Sequence, residues 1–190
     1  MIKRIIIAVG LILMFQGISL ADMVEVTNVQ IVKLTDPTDS TNYRLIIKGD
    51  IPTIPLEMVI DSVIYELNID YAVLKLSATA VQVPNEKLYA QAVAMKVPWK
   101  EDNVKWETTK HVDEQYAVTD LISFESIGTI ELQLDMTELF RAWITDVITN
   151  NGFVLRTAED LPSLFNSNVM PYTPNESKLQ MIIYFTYNPK

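Results

Sequence analysis

A single histidine, His111, and no cysteine supply the nitrogen and sulfur chemistry of this 190-residue chain. A zinc site of the usual nitrogen and sulfur type cannot be assembled from them, and a cysteine nucleophile is excluded. A serine hydrolase would have to combine His111 with one serine and one acid, and no Gly-x-Ser-x-Gly elbow occurs in the sequence. Glu101, Asp102 and Asp135 could furnish the two carboxylates of a glycoside hydrolase. A small all-β domain, however, leaves little room for a deep substrate cleft beside its core. Glycine-rich phosphate loops are missing, with only five glycines in the chain. The chemistry left to these residues is recognition rather than catalysis.

For recognition, two sets of residues stand out. Asp36 and Asp39, in Asp36-Pro37-Thr38-Asp39, carry the hard oxygen ligands that calcium takes, with carbonyl groups of the same loop beside them. The same aspartates also suit a turn whose side chains cap their own backbone, and no complete calcium-loop motif is present. Aromatic faces stack on sugar rings, so Trp99 and Trp106, which bracket one loop, are candidate ligand-binding residues, as are Tyr116 and Tyr172 in long loops. Both tryptophans are equally what a core would take.

The elements that must position these residues are mostly strands. Residues 24–27, 29–32, 43–48, 69–76, 81–83, 88–97, 129–134, 152–156 and 179–187 are rich in β-branched and apolar residues. Turn chemistry at Asp36-Pro37, Pro84-Asn85, Asn150-Asn151-Gly152 and Pro174-Asn175 separates several of them. Ala72, Leu74 and Leu76 share a parity and face one side of a sheet. One segment has helical spacing instead: Leu139, Phe140, Trp143, Ile144 and Val147 predict an amphipathic helix over residues 138–148, with Thr137 as its cap. It would cover one end of a sandwich and put Trp143 in the core. The fold class expected is all-β, an antiparallel, jelly-roll-like β-sandwich with this one short helix.

Met1-Ile2-Lys3-Arg4, an apolar run over residues 5–15, and Ser19-Leu20-Ala21 follow the order of an export signal, with cleavage expected after residue 21. Removing 21 of the 190 residues leaves 169, the size of one domain over residues 22–190. Localisation is then secreted or at the cell surface, with no membrane partner after cleavage. Lys3 and Arg4 leave with the signal, so the formal charge moves from −9 to −11. Such a surface repels nucleic acid and polyanionic glycans unless a cation bridges them.

Several spaced motifs resemble the secreted DNRLRE-type β-sandwich domain, which overlaps a carbohydrate-binding module family. Trp99-Lys100-Glu101-Asp102-Asn103-Val104-Lys105-Trp106 is similar to that family's Trp-x-Glu-x-x-Val-x-Trp. Leu134-Asp135-Met136-Thr137, Trp143 and Asn151-Gly152-Phe153-Val154-Leu155 follow its order of Asp-Val-Thr, tryptophan and Asn-Gly-Phe-x-Leu. Asn42-Tyr43 with Leu45-Ile46-Ile47-Lys48-Gly49, Val59-Ile60-Asp61-Ser62, the strand over 69–76 and Lys178-Leu179-Gln180-Met181 resemble further strands of the family. The chain departs from it in lacking glycine after Tyr43, an aromatic at Ile60 and a proline before Leu179. The resemblance implies an exported, non-catalytic module recognising an extracellular or cell-wall polysaccharide. The alternative is a structural or adhesive cell-surface or matrix protein that works through contacts with other proteins.

Overall fold

The computed structural model describes residues 20–84, 87–122, 125–158, 164–174 and 176–190. Ten strands run in the order β1 (Leu20–Glu25), β2 (Thr27–Thr35), β3 (Tyr43–Asp50), β4 (Glu57–Ile60), β5 (Val63–Ala80), β6 (Leu88–Met95), β7 (Val112–Ile122), β8 (Gly128–Asp135), β9 (Phe153–Thr157) and β10 (Lys178–Pro189). A 3-10 helix, Trp106–Lys110, lies between β6 and β7, and helix α1 (Thr137–Ile144) follows β8. In the first sheet the order is β1-β10-β5-β4, with β8 also paired to β5; in the second it is β2-β3-β9-β6-β7. All these pairings are antiparallel. The expected all-β sandwich is the fold observed.

Strand alternation builds the core between the sheets. Leu45 and Ile47 of β3, Ala90, Ala92 and Ala94 of β6, and Phe153 and Leu155 of β9 point inward. They meet Ala72, Leu74 and Leu76 of β5, Leu132 and Leu134 of β8, and Met181, Ile183 and Phe185 of β10. The β6 alanines are small and Phe153 of neighbouring β9 is large, a mix of sizes with which a core reaches close packing. The chain crosses from the first sheet to the second at Val26, whose N–H donates to the Met181 carbonyl at 2.9 Å. Gly49 lies beside this crossing, where a Cβ would overlap the Val26 side chain. Gly152, at φ +81°, is a second fixed glycine: any side chain there would run into the Ile47 carbonyl.

Several sequence expectations are corrected. The helix ends at Ile144, short of residue 148, because Asp146 adopts a left-handed φ of 55° and Val147 turns out to solvent. Thr137 does not cap α1: its Oγ1 accepts the Ala72 N–H at 2.9 Å and ties the helix to β5, while the Asp135 carboxylate receives the Thr137 N–H. Residues 81–83 form a bend after β5 rather than a strand. Of Val59-Ile60-Asp61-Ser62 only the first two residues are strand, since Asp61 and Ser62, at φ 48° and 68°, make the two-residue turn into β5. One strand, β7, has no counterpart in the sequence expectation, and it carries Tyr116, expected in a loop. Leu20 and Ala21, the end of the expected signal, pair with Tyr187 and Thr186 in β1. Residues 1–19 of that signal, together with Asn85 and Asn175 of two expected turns, lie outside the described residues. Among the described residues no helix is long and apolar enough to cross a membrane.

Candidate functional site

The outer faces of the two sheets decide which aromatic residues can meet a ligand. On the second sheet, Ile46, Val93, Met95, Val112 and Val154 alternate outward and still are buried. The connection over residues 96–111 folds back over them, held by Lys96 N–H to the His111 carbonyl at 2.9 Å. Trp99 fills the space under this connection. It is 7% exposed, and its indole N–H donates to the Asn151 carbonyl at 2.8 Å.

Trp99 is therefore a core residue and not a ligand contact, which corrects the assignment made from sequence. Trp106 is half-buried, and the Arg44 guanidinium stacks on its ring with 4.3 Å from Cζ to the centroid. Thr109 completes this clamp, accepting from Arg44 and donating to the Trp106 carbonyl at 2.7 Å. Trp106 thus has one face engaged by protein. Tyr116 and Tyr172 are half-buried and pack on the main core, with burial holding the Tyr172 phenol above its usual range. The four candidates do not form one exposed aromatic surface.

The two aspartates act as turn caps. Asp36 Oδ1 accepts the Thr38 N–H at 2.8 Å and its hydroxyl at 2.7 Å. Asp39 Oδ1 does the same for Thr41 at 2.9 and 2.6 Å, and Oδ2 takes the Asn42 amide at 2.8 Å. These bonds, the Thr38 and Thr41 hydroxyls first, lower both carboxyl pKa values. Among the described residues no group of three or more His, Asp or Glu side chains sits where it could hold a metal ion.

An aromatic pair that reaches solvent at one ring, Tyr71, lies on the outer face of the first sheet. Met23 of β1 faces Tyr184 of β10, and Tyr184 faces Tyr71 of β5, so the three form one row across three strands. The Tyr71 and Tyr184 rings lie 6.2 Å apart with 23° between their planes. Met23 is 56% and Tyr71 39% exposed. A register shift in the β5–β10 pairing pairs Tyr184 with Tyr71 but Phe185 with Ile69, leaving Asp70 as the extra residue. The bulge turns Asp70 to the same surface, where its Oδ1 accepts the Asn68 amide at 2.5 Å and the Thr186 hydroxyl at 3.1 Å. Burial first, and then the Asp135 carboxylate, raises the Tyr71 pKa, so its hydroxyl stays a neutral donor and acceptor at neutral pH.

The exposed Tyr71 ring, with carboxylate, amide and hydroxyl groups beside it, can take the CH face of a sugar and bond its rim hydroxyls. The sequence did contain the signal. Tyr71 has the opposite parity to Ala72, Leu74 and Leu76, which places it on the outward face of an expected strand. A second concavity, of about 620 Å³, lies between the connection after β3 and the end of α1, lined by Lys48, Asp50, Thr53, Ile144, Asp146 and Asn150 among others. The one aromatic among the described residues that line it, Trp143, is 6% exposed. Comparison with protein-family models finds no match for the chain, and comparison with curated proteins finds no similar sequence.

Proposed function

We propose that this protein is an exported, non-catalytic carbohydrate-binding module that holds an extracellular or cell-wall polysaccharide on the outer face of its first sheet. The observation that carries this reading is the exposed Tyr71 ring, stacked on the half-buried Tyr184. Uncovered aromatic rings on a sheet face cost solubility, and a ligand that stacks on them gives them a use. The signal-like amino terminus and the motifs shared with the DNRLRE-type domain support the same reading. His111, at the end of the 3-10 helix, is exposed, with its backbone N–H on the Thr108 carbonyl.

The test is calorimetric titration of the chain lacking residues 1–21 against a panel of neutral and uronate-containing polysaccharides. Binding to at least one glycan, weakened about tenfold by Tyr71→Ala, is the expected result. No binding across the panel would overturn the reading.

A second reading rests on a different surface. Leu56, Val59 and Ile64, on and beside the β4–β5 hairpin, are 50%, 69% and 42% exposed, and Val59 faces Ile64 across the strands. This aliphatic patch suits a structural or adhesive role through protein contacts. Val59→Lys would then reduce association with a protein partner or with a second copy while leaving glycan titrations unchanged.

A further inference from the structure

We infer that the β4–β5 hairpin end of the sandwich is a membrane-contacting surface, which rests on a lipid bilayer while the apolar run over residues 5–15 is held there, before the expected cleavage after residue 21. The surface and the partner differ from those of the glycan reading, which stands or falls separately.

The place where the chain leaves the fold sets the geometry. Leu20, the first residue of β1, is level with Tyr187 of β10 and Leu67 of β5. Beyond that level the first sheet continues through the pairs Tyr65 with Met58, Ile64 with Val59 and Val63 with Ile60, and closes at the Asp61-Ser62 turn. The four steps from Leu67 to Val63 carry the hairpin about 14 Å past Leu20, in the direction in which β1 runs back toward the amino terminus. Only residues 16–19 separate β1 from the apolar run, and the five steps from Leu20 to Phe15 span at most about 18 Å. A bilayer that takes up the apolar run is therefore kept beside the hairpin by a linker hardly longer than the hairpin itself.

The side chains at this end fit a lipid surface. Val59 and Ile64 share one face of the hairpin and Ile60 and Val63 the other, so it is apolar on both sides. Leu56, Val59, Val63 and Ile64 are all exposed. A protein docking on a sheet covers one face, whereas a lipid layer meets side chains on both. One row behind them the Lys190 ammonium pairs with Glu66 at 2.5 Å and Glu57 at 3.3 Å. That charged row, with Asp61 at the turn, holds the contact at headgroup depth and favours zwitterionic over anionic lipid. Val81 and Ile127 are exposed near the opposite end of β5, so apolarity alone does not select the end; the exit of the chain does.

The full chain, residues 1–190, is reconstituted into phosphatidylcholine vesicles. Because the protein has no cysteine, Val59→Cys and Ile127→Cys each give one site for an environment-sensitive fluorophore, and circular dichroism checks the fold. The full chain should float with the vesicles, and spin-labelled lipid should quench the Val59 probe about threefold more strongly than the Ile127 probe. Adding Ile64→Asp should cut the quenching at Val59 about twofold without releasing the chain, and removing residues 1–21 should abolish flotation and quenching together. Equal quenching at the two ends, no quenching at Val59 in a chain that floats, or failure of the full chain to float would overturn the inference. So would a Val59 probe whose emission shifts to the blue with protein concentration in the absence of vesicles, since that would give the hairpin to a second copy of the chain.

Discussion

The outer faces of the two sheets share an alternating apolar pattern and end in opposite states. On the second sheet, Ile46, Val93, Met95 and Val154 are roofed by the connection between β6 and β7, with Trp99 as the filling. On the first sheet, Met23, Tyr71 and Tyr184 occupy equivalent outward positions, and Met23 and Tyr71 stand exposed. An outward-pointing hydrophobe is therefore part of the fold or part of a binding surface according to what lies over it. The bonding differs in kind as well. The covered face has Arg156, 5% exposed, donating to Gln91 at 2.9 Å and to Glu114 at 2.7 Å. Three β7 residues, 114–116, are left out of the β6–β7 register, and this bulge brings Glu114 to Arg156. The bare face carries exposed sets instead, such as Asn68, Asp70 and Thr186 at its margin.

Removing the roof should have the largest effect. Trp99→Ala deletes a buried indole and frees the Asn151 carbonyl, and equilibrium unfolding in denaturant should show a loss of about 3–5 kcal/mol. A loss under about 1 kcal/mol would mean that the second sheet needs no cover and that the contrast between the faces is false. Trp106→Ala tests the far end of the same roof. Because its ring is half-buried and held by Arg44, the expected loss is smaller, about 1–2 kcal/mol, with faster proteolysis within residues 96–111.

Tyr43 gives an internal reference between the sheets, where neither outer face contributes. Its hydroxyl donates to the Met170 carbonyl, and burial first, then Tyr172, pushes its pKa up. With the folded value above the unfolded one, near 10, this contribution is complete below about pH 10 and is lost as pH rises toward the folded value. Alkaline titration of stability should show that decline in the wild type and a reduced one in Tyr43→Phe. The variant should also lose about 1–2 kcal/mol at neutral pH from the unpaired carbonyl.

The smallest expected effect on stability comes from the bare face. Tyr71→Ala should change unfolding free energy by about 0.5 kcal/mol or less while abolishing most glycan affinity. A loss comparable with that of Trp99→Ala would make Tyr71 a structural residue and remove the main support for the binding surface.

Sequence alone determined the two-faced strands. The parity of Ala72, Leu74 and Leu76, the β-branched runs and the turn residues specify an antiparallel sandwich because pleat geometry sends alternate side chains to opposite sides, whatever the rest of the chain does. The apolar spacing around Phe140 and Trp143 specified a helix for the same local reason, and its end was misplaced because the left-handed Asp146 interrupts a pattern that continues to Val147. Only the tertiary structure decided which outward face is covered. Trp99 and Trp106 sit seven residues apart in one loop, yet one is core and the other half-buried, while Tyr71 and Tyr184, 113 positions apart, stack on each other. Periodicity divides a strand into two faces, but solvent reaches a face only where no distant segment packs over it, and that is a long-range contact that no local pattern encodes.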